Sequence, residues 1–119
     1  MLNQWTREHD AVIAEKCDGQ KAPLGKSPLS RSSWEKYLPN YNTDIAACIR
    51  AAEAWRKQDE MRRSYGVISP VAILGSPLWE GYVNWWDRGT VADVDSSIGC
   101  DGPTPAAALA WALYKAVTQ

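Results

Sequence analysis

The chain has 119 residues, a length that supports one domain with a core of its own. Apolar residues make up 45% and charged residues 23%, ordinary values for a soluble globular protein. The formal net charge of −1 excludes the broad basic field that a general nucleic-acid binder presents to phosphates.

Seven tryptophans and no phenylalanine set the aromatic content. Tryptophan combines a large apolar body with one N–H donor, which suits cores and binding surfaces alike. The three cysteines, Cys17, Cys48 and Cys100, are odd in number and far apart, so they read as free thiols of a reduced, cytoplasmic protein. A metal site built from Cys17, Cys48 and His9 lacks any recognised ligand spacing, and no cofactor is implied. No secretory h-region opens the chain, and no apolar run is long enough to span a membrane.

Residues 5–18 predict a first helix. Thr6 is placed as its N-cap, Glu8 suits its first turn, and Val12, Ile13 and Cys17 form a partial apolar stripe with Trp5 behind. Gly19 is the expected stop. Residues 20–40 are a long Pro/Ser-rich loop with a short turn near Ser33 to Tyr37. Trp34, Tyr37 and Tyr41 put aromatic weight at its end, and Lys21, Lys26 and Arg31 make it locally basic. Loops of this length in compact domains are often functional or mobile; the plainer reading is that the aromatics pin this one to the core.

The clearest helix runs from about Thr43 to about Arg62. Ile45, Cys48, Ile49, Ala52 and Trp55 recur at spacings of three and four and predict its buried face. Asn42 or Thr43 is expected to cap it, with Asp44 at the positive dipole end. The charged run ending at Arg62 and Arg63 reads as a solvated helix end, with phosphate binding as the sharper alternative.

From Gly66 the pattern turns to strands. Residues 67–74 are β-branched and apolar, with Pro70 marking an edge or a bulge. Residues 79–86 predict a second strand, followed by a turn at Asp87 to Gly89. Residues 90–97 alternate and predict a third, with Asp93 and Asp95 on a wet face. Gly99 to Pro105 is expected to end the sheet. Thr104 then caps a closing helix with Pro105 in its first position, and Leu109, Ala112, Leu113, Ala116 and Val117 form its apolar stripe. The order helix, helix, three strands, helix describes an α+β fold with a small antiparallel three-stranded meander.

Three segments resemble a known family. Residues 11–19, Ala-Val-Ile-Ala-Glu-Lys-Cys-Asp-Gly, look like its opening helix, which ends in an Ala-Glu-Lys run and a glycine. Tyr41, Asn42, Thr43 and Asp44 look like its central-helix start, usually Tyr-Ser-Thr-Asp. Residues 102–116 look like its closing helix. The family is the phage ABA sandwich domain, small proteins of bacteriophages and prophages. The resemblance implies a three-layer α/β/α sandwich and a setting in the cytoplasm of a bacterial host. It implies no activity and no catalytic residues; the longer loop at 20–40 and the cysteine in the first helix depart from the pattern.

The functional expectation is a non-enzymatic binding module that interferes with or sequesters a host component, either a protein or a nucleotide-like small molecule. Its candidate contacts are Tyr41, Asn42 and Thr43 at one helix start, Gly102 and Thr104 at another, and Trp34. Helix N-termini offer free N–H groups to anions, and aromatic rings can stack a base. The plainer reading of both starts is ordinary capping, and Asp44 and Asp101 would repel an anion. A metal-dependent hydrolase using Asp93 and Asp95 is one alternative, although alternating acids on a strand usually form its solvent face. A weak nucleic-acid binder is another. Homodimerisation through the open sheet edges is a further alternative.

Overall fold

The computed structural model describes residues 4–20, 33–59, 62–70, 77–85 and 96–118. They form α1 (Arg7–Lys16), α2 (Ile45–Lys57), β1 (Arg63–Ile68), β2 (Trp79–Trp85), β3 (Ser96–Gly102) and α3 (Pro105–Val117). A single helical turn lies at residues 33–36, where the sequence places one. The rest of the Pro/Ser-rich segment, 21–32, lies outside the described residues.

Each helix is bounded by local chemistry. Thr6 is the N-cap of α1, and the Nδ1 of His9 accepts its backbone N–H at 3.0 Å. Here an imidazole takes the part that Glu or Gln plays in a capping box. Beyond α1, Gly19 adopts φ +69°, and the N–H of Gln20 turns back to the carbonyl of Ala14 at 3.0 Å. Thr104 caps α3 by accepting the N–H of Ala107 at 3.1 Å, with Pro105 behind it in the first turn.

The cap of α2 differs from expectation. Asp44 is the N-cap and accepts the N–H of Ala47 at 3.2 Å. The carbonyl of Asn40 already holds the N–H groups of Thr43 and Asp44, so a tight turn occupies the two residues expected to cap. The buried face is also rotated. Ala47, Cys48, Ala51, Ala52 and Trp55 are inside, while Ile45 and Ile49 are 40% and 39% exposed. Small residues let α2 approach α3 closely: the Cys48 thiol donates to the carbonyl of Ala106 at 3.7 Å. Isoleucines there would hold the helices apart. The helix ends at Lys57 and not at Arg62, because Arg63 already begins a strand paired with Trp85.

The sheet is an antiparallel meander, β1-β2-β3. β1 contains the expected Val67 and Ile68 but starts earlier, at Arg63, and Pro70 falls past its end, where no ladder donor is needed. β3 occupies 96–102, so Gly99 to Gly102, expected to end the sheet, are ladder residues opposite Tyr82 to Trp79. The turn at Asp87 to Gly89, Trp86, and the strand positions 90–95 with Asp93 and Asp95 lie outside the described residues.

Registered partners place Tyr65, Val67, Val83, Trp85, Ile98 and Cys100 on one face, and these pack on the core. α3 lies directly on it. A Cβ at Gly81 would sit 2.3 Å from the backbone nitrogen of Leu109, so only glycine permits the contact. α2 lies beside α3 on the same face, where the Tyr65 hydroxyl donates to Glu53 at 2.8 Å. α1 covers α3 from outside through contacts of Trp5 and His9 with Trp111 and Tyr114. The α+β class and the meander are as read from the sequence. A helical layer on the opposite face, the third layer of a sandwich, is not among the described residues.

Candidate functional site

The two helix starts singled out in the sequence come together. Cys48 and Ala106 belong to the first turns of α2 and α3, and their 3.7 Å contact sets those turns side by side. Each is already satisfied from within, by the Asp44 carboxylate and the Thr104 hydroxyl. Thr43 is exposed and its hydroxyl donates to Asn40 O at 3.4 Å; Asn42 is half-buried. Gly102 is explained by packing, since a Cβ there would lie 2.8 Å from the nitrogen of Ala108. Trp34 is half-buried and packs on the core.

Tyr41 is wholly buried. Its N–H donates to Asp10 Oδ1 at 3.0 Å, and its hydroxyl donates to Asp18 Oδ2. Its ring is therefore a core ring with no free face to stack a base. Asp10, 1% exposed, is the centre of this region. Its Oδ1 also accepts the indole N–H of Trp5 at 2.8 Å, and its Oδ2 accepts Arg7 Nη1 at 2.8 Å. Arg7 then reaches the carbonyls of Glu35, Leu38 and Pro39 and the side chain of Asn40. One ion pair, its carboxylate buried and its guanidinium half-buried, thus fixes the end of the long loop to α1. Nothing in an Arg and an Asp three apart distinguishes such a hub from a solvated pair, so the role of Arg7 is not legible in the sequence.

His9, considered above as a metal ligand with Cys17 and Cys48, is enclosed by rings. Trp5 stacks on it at 5.0 Å, with Trp111 and Tyr114 at 4.9 and 4.5 Å between centroids. Cys17 and Cys48 are buried in the core. Burial pushes both thiols up to about 12, and burial with the Asp18 hydrogen bond raises Tyr41 as well. In all three the neutral form is the folded form. The stability they contribute is complete below the unfolded thiol value of roughly 8.5 and is lost as pH rises from there toward about 12. The urea midpoint is expected to hold steady up to about pH 8 and then fall. Replacing Cys48 by Ala should make that fall shallower; an unchanged alkaline slope would contradict the assignment.

The outer face of α2 carries what the sequence reading placed inside. Ile45 and Ile49 lie one turn apart beside a shallow groove lined by Ala46, Ile49, Arg50, Glu53, Ala54 and Lys57. Arg50 reaches Asp18 at 3.4 Å across the groove's edge. Hydrogen bonds from Arg56 and from the Tyr65 hydroxyl hold the Glu53 carboxyl down at about 2. The charges are thus fixed around an apolar strip. No helix among the described residues is long and apolar enough to cross a membrane. No family model, curated protein or solved structure matches the chain significantly.

Proposed function

We propose that this chain is a non-enzymatic binding module, an accessory protein of a phage or prophage that works in the host cytoplasm by engaging a host protein. The setting comes from the resemblance of its three helical segments to the phage ABA sandwich domain. The observation that carries the protein-binding reading is the outer face of α2, where Ile45 and Ile49 stand exposed at adjacent turns. Single exposed apolar residues are common, but two at helical spacing beside a groove form the kind of strip that a partner covers. The fixed charges of Arg50, Glu53 and Arg56 around it supply a polar rim.

The experiment is quantitative capture from host lysate with the wild-type chain, Ile49→Glu and Ile45→Glu, each checked for fold by circular dichroism. A charge in the centre of an apolar contact should weaken retention of a specific partner at least about tenfold, equivalent to roughly 1.4 kcal/mol. Equal capture by all three chains, or no stoichiometric partner for any, would overturn this reading.

A further inference from the structure

A second cleft lies away from this strip, at the far ends of the paired helices. Trp55 near the end of α2, Ala116 near the end of α3, and Arg63 and Trp85 at the edge of the sheet line a cavity of about 300 Å³. Arg63 and Trp85 are directly opposed in the β1–β2 register, so their side chains rise on the same face.

The guanidinium of Arg63 is held in place. It lies over the Trp55 ring at 4.8 Å, and its Nη1 donates to Trp55 O at 2.9 Å and to Gln58 Oε1 at 3.0 Å. Among the described residues, no carboxylate pairs with it. Part of its role is structural, since a cation at a helix C-terminus satisfies the last carbonyls and the dipole. α2 and α3 run side by side in the same direction, in contact at Cys48 and Ala106 near their starts and with Trp55 and Ala116 near their ends lining one cavity, so two negative ends face this cleft. That role uses only one edge of the fork. The guanidinium presents five donors in all, and a cation fixed by stacking loses little freedom on binding.

The geometry points to a binding site in this cleft for a small planar ring carrying one anionic group, of the size of a nucleoside monophosphate. Trp85, half-buried and lining the cavity, would supply the stacking surface for the ring, and Arg63 its remaining N–H groups for the anion. The cavity volume is at the low end for ligand sites and suits a mononucleotide-sized group. From the sequence Trp55 reads as core and Trp85 as part of the second strand, while the run ending at Arg62 and Arg63 carries phosphate binding as the sharper alternative to a solvated helix end.

The test is a titration of the full chain with adenosine 5′-monophosphate, adenosine and inorganic phosphate, followed by the indole N–H resonances of the tryptophans in two-dimensional NMR. The expected result is a saturable shift confined to Trp55 and Trp85 with the monophosphate. Its affinity should be at least about tenfold better than for adenosine or phosphate alone. Arg63→Met should abolish the shift and Arg63→Lys should keep part of it. Should Arg63→Met unfold, Trp85→Leu removes the ring platform while leaving the helix cap, and is expected to lose the same binding. No saturable shift up to about 10 mM monophosphate would overturn the proposal. So would equal binding of phosphate alone, or binding unchanged in Trp85→Leu.

Discussion

Asp10→Ala is expected to cost about 3 kcal/mol of folding stability, mostly by stranding the buried donors that its carboxylate accepts from. The carboxylate is 1% exposed and accepts from the Trp5 indole, the Tyr41 backbone and Arg7. Alanine would strand two neutral donors and leave the guanidinium without its charge partner. Arg7 also holds the carbonyls of residues 35, 38 and 39, so the loop end should loosen together with α1. Asp10→Asn keeps the shape and one acceptor, and should lose less, about 1–3 kcal/mol. Urea unfolding followed by circular dichroism measures both. A loss under about 1 kcal/mol for Asp10→Ala would mean that the loop is held by its apolar contacts, Leu38 and Tyr41, and not by this hub.

Gly81→Ala is expected to be of similar severity, for a different reason. The added methyl would lie 2.3 Å from the nitrogen of Leu109 and 2.4 Å from the carbonyl carbon of Ala108. Both are helix backbone, so relief requires α3 to move off the sheet as a unit. α3 is the element that the sheet, α1 and α2 all pack against, and its Ala108, Leu109, Ala112 and Leu113 are entirely buried. Overpacking of this kind costs about 3 kcal/mol or more, which lowers the melting temperature by roughly 10 °C in a chain of this size. Gly66→Ala is the matched comparison. The nearest atoms its methyl would meet all belong to the Tyr82 side chain, the hydroxyl at 2.4 Å and ring carbons at 2.6 and 2.8 Å, on the sheet face away from the helices. That side chain can swing aside, so the loss should be well under half that of Gly81→Ala. Equal losses at the two glycines would show that the closeness of α3 to the sheet is not what makes Gly81 necessary.

The two proposed contacts occupy separate parts of the molecule. The strip on α2 centres on Ile45 and Ile49, whereas the cleft uses Trp55, Arg63 and Trp85 near the other end of the helix. Ile49→Glu should therefore leave the monophosphate titration unchanged, and Trp85→Leu should leave protein capture unchanged. Either result taken alone bears on one contact only.

Local chemistry settles much of this chain. Thr6 and Thr104 act as caps, Gly19 ends the first helix with a positive φ, and Pro105 opens the last one. These signals need only a few neighbouring residues, so they are readable in sequence. The element order and the second strand follow from periodicity in the same way. What the tertiary structure decided are the choices between locally equivalent options. Periodicity alone allowed the isoleucine stripe of α2 to be buried; close approach to α3 selected the alanine and cysteine stripe instead. Turn chemistry favours Gly99 to Gly102 as the end of the sheet, yet pairing with β2 placed those residues in the ladder beneath α3. Arg7, Arg63 and Trp85 gained their surroundings from partners up to 33 residues away or across a strand register. Side-chain reach across that distance depends on how helices and strands settle against each other, and this information is absent from any short window of the chain.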